Sequence, residues 1–278
     1  MNWAPAVAGD AHPAPVRSWT DTLRFAFQPV VNLMTGGVAA LEILARPEGG
    51  DVLAEARRDP ELDGRLAVSA FRAAVRKETL LPLHVNVFAG TLADLGGLQP
   101  LHDAVREAGR MPWEVTLDVC PPYAHVPRRA LLEAVSAVRA QGFRICADGV
   151  GDGDAPLRLL TDLAPELVKL DASLLARPAA VRAMRVLCDE LGALLAVEGV
   201  ETEAQYAAAR TAGAQWAQGS CWRRPRGCLR RTCTSRPAPR RTAGAEVGSA
   251  GASVRAAGRA AAGVRVGGAG AGVADRVA

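Results

Sequence analysis

From about residue 25 to residue 219, short apolar runs alternate with longer stretches whose apolar positions recur every three or four residues. Eight runs read as strands: FAFQPVV (25–31), VAALEIL (38–44), LHVNVF (83–88), EVTLDV (114–119), RICADG (144–149), LVKLD (167–171), LLAVEG (194–199) and WAQG (216–219). Between most of them lie stretches with helical spacing, among them ELDGRLAVSAFRAAVRKE (61–78), RRALLEAVSAVRAQG (128–142), AAVRAMRVLCDELG (179–192) and TEAQYAAARTAG (202–213). Several of these helices are expected to stop at a glycine (Gly142, Gly192, Gly213), the residue that a left-handed cap favours.

Alternation of strands and helices on this scale implies a parallel sheet with helices outside it. An α/β fold of the TIM type, a (β/α)8 barrel, is the expectation, with an open doubly wound sheet as its competitor. The polar residues decide between them. Glu42, Asn86, Asp118, Asp148, Lys169, Glu198 and Gln218 each fall at or just inside the C-terminal end of a different predicted strand. A barrel gathers such ends into one mouth, whereas an open sheet strings them along an edge. The barrel domain is assigned to residues 22–225, after an N-terminal segment at 1–21. Residues 226–278 are almost wholly Arg, Ala, Gly, Val, Ser and Pro, a composition expected to stay disordered. The abrupt change of composition after about Gln218 is what a reading-frame shift in a GC-rich gene would leave.

Charge sharpens this division. The net charge of +4 conceals a tail from residue 223 onward with twelve Arg against only Glu246 and Asp275. The body is therefore mildly acidic. The tail has a single Trp next to it and no periodic face, so basicity alone does not point to nucleic acid, and no such partner is expected. No apolar run approaches the ~18 residues of a membrane span, and the first residues lack the basic and apolar regions of a secretory leader. A cytoplasmic protein is expected. The six cysteines form no C-x-x-C pair, and Cys221, Cys228 and Cys233 have an uncommon spacing for zinc, so buried thiols are the expectation.

The converging acids carry the chemistry. Glu, Asn and Asp side chains are what a hard divalent cation takes, and two such ions can clamp a phosphodiester and activate water. Lys169 is one of only two lysines against 31 arginines, so a compact ammonium is wanted at that strand end. The stretch FRICADGVGDGD is neither a phosphate-binding P-loop nor an EF-hand loop, because no Lys-Ser or Lys-Thr follows and Val150 stands where an oxygen ligand belongs. A nucleophile elbow of the G-x-S-x-G type is absent. A Schiff-base lysine is disfavoured by the surrounding carboxylates. His84, two residues before Asn86, is expected to pack.

The segments FQPVVNLMTGGVAALEILAR, HVNV, VTLDV, CADGVGDG, ELVKLD, AVEGVETEAQ and AQG resemble, in order and spacing, those of the EAL-domain family. That resemblance implies a TIM-type barrel and hydrolysis of cyclic di-GMP to linear pGpG with Mg2+ or Mn2+. It implies metal binding by Glu42, Asn86, Asp118 and Asp148. Glu198 is matched to the proposed general base and Lys169 to the active-site lysine. Gln28, Arg46, Gln218 and Glu201 match residues around the dinucleotide, and Asp171 the acid after the lysine.

Departures from the family pattern fall in one place. Gly149 stands where the family has a second metal-binding Asp, Asp118 where it has Glu, and Pro121 where it has a loop-anchoring Glu. Asp152 or Asp154 would have to substitute for the missing oxygen. Two functions follow: a cyclic di-GMP phosphodiesterase of reduced rate, or an inactive receptor or protein-interaction module on the same barrel. Regulation is expected through a homodimer or a regulatory protein partner.

Overall fold

A computed structural model describes residues 23–47, 51–96, 98–151 and 155–221. Its strands are β1 (Leu23–Asn32), β2 (Val38–Pro47), β3 (Leu83–Phe88), β4 (Val115–Cys120), β5 (Arg144–Val150), β6 (Leu167–Asp171), β7 (Leu194–Glu198) and β8 (Trp216–Gln218). They close into one barrel in sequence order. The helices are α1 (Val52–Ala56), α2 (Pro60–Val75), α3 (Ala89–Leu95), α4 (Gln99–Glu107), α5 (Arg128–Ala140), α6 (Leu157–Leu163), α7 (Pro178–Leu191) and α8 (Glu203–Thr211). The N-terminal segment, the basic tail, Cys228, Cys233, Asp152 and Asp154 lie outside the described residues.

The barrel differs from an all-parallel one at β1, which runs antiparallel to both β2 and β8, while the other neighbours are parallel. The reason is the connection. Only five residues join β1 to β2, enough for a tight turn in which the Asn32 side chain accepts from the Met34 and Thr35 N–H groups. A parallel return needs a crossover of a dozen residues or more. The reversal puts the N-terminal half of β1 at the mouth, so Gln28 stands opposite Glu42. Directly paired residues share a face, so Gln28 is on the inner side with Glu42.

The remaining strands sit between helices and barrel interior. On β4, Val115, Leu117 and Val119 are fully buried in the large outer core with Leu83, Val85, Phe71 and Leu101. A second cluster joins Val168, Leu170 and Leu195 to Leu160 and Val181. Inside the barrel, below the polar mouth, Cys146, Leu167 and Ala196 pack with Trp216. Local signals set the helix ends. Asp59 caps α2 by accepting from Leu62 N–H, with Pro60 at the first helical position. Thr202 and Gln205 form a reciprocal capping box at α8. Gly192 closes α7 at a positive φ of 70°. The expected strands are reproduced within about a residue or two at most ends; α1, α3, α4 and α6 are additional.

Candidate active site

Because side chains alternate along a strand, the inner face of each parallel strand contributes every second residue to the barrel. That period brings His84 and Asn86 from β3, Asp118 and Cys120 from β4, Cys146 and Asp148 from β5, Lys169 from β6, and Glu198 from β7 to one end. Glu42 comes from β2 and Gln218 from β8.

These groups bond to one another. Lys169 Nζ donates to Glu42 Oε2 at 2.8 Å and to Asp118 Oδ2 at 2.5 Å, and lies 3.6 Å from Asp148 Oδ1. Asn86 Nδ2 donates to Glu42 Oε1 at 2.9 Å, and Gln218 Nε2 donates to Glu42 Oε2. His84 Nδ1 is 2.8 Å from Asp118 Oδ1. Cys120 Sγ donates to Asn86 Oδ1 at 3.2 Å and lies 3.5 Å from Asp148 Oδ2. Lys169, His84 and Asp118 are almost wholly buried.

Burial and crowding set the charges. Burial would raise the Asp118 carboxyl, but His84 and Lys169 outweigh it and hold it at about 2. Burial holds the Lys169 ammonium back less than Asp118, Asp148 and Glu42 push it up, so it stays charged. Glu198 is pushed up to about 8, by burial first and then by Asp148. Asp148 is also raised, by burial foremost and by Asp118 and Glu42, against the pull of Lys169. The Cys120 thiol goes up through burial and the same acids, so it is an unreactive, protonated thiol.

A cleft of about 350 Å3 opens over this cluster, lined among others by Glu42, Arg46, Asn86, Cys120, Asp148 and Glu198. Asp63, from α2, lines it too; its carboxylate accepts from Phe88 N–H at 2.9 Å. Lys169 and Asp118 do not line it but lie beneath. A larger cavity of about 670 Å3 runs between α2 and α4 on the helical flank, away from the strand ends.

Not every expected residue joins the cluster. Arg46 is on the rim, and its Nη1 donates to Ala45 O at 3.1 Å. Glu201 is exposed, with its N–H donated to Gln205. Asp171 caps the turn after β6 by accepting from Ser173 N–H. Cys120 and Asp63 join the site without a place among the residues expected from the sequence. Counting by twos from Asp118 leads to Cys120; nothing in the helix pattern marks Asp63. His84 does pack, as expected, but as the partner of Asp118.

The donor set suits a divalent cation in part. Asp148 Oδ1 is buried with no hydrogen-bond partner, 3.6 Å from Lys169 Nζ, and Asp148 shares the cleft lining with Glu42 and Asn86. Among the described residues, however, no three carboxylates, imidazoles or thiols converge on one cation-sized point. At residue 149 the backbone has φ +64° and no side chain, with Pro121 packed above it. The residues lining the cleft thus offer two carboxylates and an amide to a cation, and residue 149 offers no side-chain oxygen.

A closed eight-stranded barrel with acids, an amide and a buried lysine gathered at the strand ends places the chain in the class of α/β barrels whose functional groups collect at that mouth. The chain belongs to the EAL domain family, which residues 17–225 match. Klebsiella pneumoniae BlrP1, solved as a calcium/cyclic-di-GMP complex, is 26% identical with a TM-score of 0.64, over 74% of this chain and 56% of that one. A standalone EAL protein from Vibrio cholerae O395, solved in a cyclic-di-GMP-bound form, is 22% identical with a TM-score of 0.64, over 71% of this chain and 89% of that one, and shares the fold. An uncharacterised protein of Sinorhizobium fredii is 27% identical over 71% of this chain, and the chain spans only 26% of its length.

Proposed function

We propose that this chain is a cyclic di-GMP signalling domain that binds the dinucleotide at the barrel mouth and hydrolyses it slowly to pGpG with Mg2+ or Mn2+. One observation carries the reading: Glu42, Asn86, Asp148 and Glu198 line a single cleft with Arg46 on its rim. Glu42, Asn86 and Asp148 would hold a divalent cation, which would supply Lewis-acid polarisation of the phosphodiester. Arg46 offers a planar fork of donors to a phosphate. Glu198, at the end of β7 and on the cleft wall, is the carboxyl group placed to move a proton, and burial and Asp148 raise it while no cation is bound. Lys169 acts from below by fixing Glu42. Gln28 and Gln218 complete the inner wall beside Glu42, and Glu201 the outer edge after β7.

The rate is low on this reading because the second donor position is empty of oxygen at Gly149. That same observation favours a second reading, a receptor that binds without turnover. Incubation with Mn2+ and cyclic di-GMP separates the two: pGpG release supports the hydrolase, and binding without release supports the receptor. No helix among the described residues is long and apolar enough to cross a membrane. A cytoplasmic address, with control by a homodimer or a regulatory protein partner, belongs to the same proposal.

A further inference from the structure

Asp118 has no free oxygen. Its Oδ1 is held by His84 at 2.8 Å and its Oδ2 by Lys169 at 2.5 Å, and the residue is 0% exposed. Strand pairing fixes this arrangement. Asn86 lies beside Asp118 in the β3–β4 register, and His84 is two residues earlier on the same face, one pleat deeper in the barrel. An aspartate is short enough to be drawn down to that level, and the imidazole supplies the group that draws it. Its other oxygen then meets the ammonium of Lys169, which also grips Glu42 Oε2. Glu42, Asn86 and Asp148 line the cleft, and Asp118 does not.

We propose that His84 withdraws Asp118 from the metal-binding set and commits it to Lys169, so that the mouth holds one divalent cation rather than two. The inference rests on the reading of the mouth as a cation site, and adds which acids serve it. His84 is a positioning residue: it touches neither cation nor nucleotide, and fixes Asp118, which fixes the ammonium, which fixes Glu42.

The test uses Mn2+ alone, without nucleotide, so that it is independent of turnover. Protein stripped with a chelator is titrated with Mn2+, and free ion is read by electron paramagnetic resonance. The expected result is one ion per chain at saturation. Manganese anomalous density from soaked crystals is expected as a single peak, with Glu42, Asn86 and Asp148 oxygens at roughly 2.0–2.6 Å and Asp118 outside that range. Asp148→Asn is expected to abolish the site, whereas Asp118→Asn retains one ion at saturation with weaker affinity. Two ions per chain, no ion, or a peak within bonding distance of Asp118 overturns the proposal. The position of the wild-type peak relative to Asp118 decides it even where a variant fails to fold. One ion per chain with no pGpG formed would leave this inference standing and sink the hydrolase reading alone.

Discussion

The Cβ that Gly149 lacks would stand 3.4 Å from Pro121 Cγ, ordinary contact distance, on a backbone held at φ +64°. The missing acid and the proline are thus neighbours across the β4 and β5 strand ends, and the obstacle to restoring an acid is the backbone rather than the space. A left-handed conformation costs an L-residue roughly 1–2 kcal/mol, with Asp at the mild end. Gly149→Asp is therefore expected to lower the unfolding free energy by about 1 kcal/mol in chemical denaturation. The same loss is expected in a Pro121→Ala background. Disappearance of the cost there would place its origin in the proline contact instead.

Lys169 is a buried cation gripped by Glu42 and Asp118, with side-chain exposure of 1%. Replacing it by Met leaves two carboxylates buried without their counter-charge, a change that costs about 3–5 kcal/mol in such settings. Lys169→Met is expected to lower stability by that amount, and the Lys169→Met/Asp118→Asn double variant by less than the two single losses combined. Equal additivity in a double-mutant cycle would show that the pair is not coupled.

Asp63 gives a pH signature. Burial raises its carboxyl from 3.8 to about 6, against the lowering effect of the Phe88 N–H and Thr91. The folded state thus binds the proton more tightly than the unfolded chain, so stability falls as pH rises from about 4 to about 6 and stays at the lower value above that. A difference of this size in proton affinity corresponds to about 3 kcal/mol at most. Asp63→Asn keeps an oxygen for Phe88 N–H and removes the titration. Its stability relative to wild type is expected to rise across that window and then level off; parallel profiles of the two proteins would contradict this.

Most of the barrel is legible in the sequence because its signals are local. β3 and β6 match their predicted runs, LHVNVF and LVKLD, to the residue; Pro82 and the Pro165–Glu166 pair mark where they begin. The direction of β1 is not legible in the same way, because it depends on the length of the link to β2 and not on the strand's own pattern. Helices α1, α3 and α6 have five to seven residues each, too few for a 3.6-residue period to stand out. In the site, strand-end position locates Glu42, Asn86, Asp148, Lys169, Glu198 and Gln218 without reference to packing. Whether Asp118 faces the cleft or the barrel interior is set by His84, a residue on another strand. No pattern along β4 carries that information.

The direct test of the proposed function is pGpG formation from cyclic di-GMP by the purified chain with Mn2+, measured beside Glu198→Gln. Slow but steady accumulation of pGpG is expected, falling by about 100-fold or more in the variant, the range seen when a proton-transfer group is removed. A chelator is expected to stop the reaction. No pGpG from the wild-type chain, or equal rates from chain and variant, would contradict the assignment.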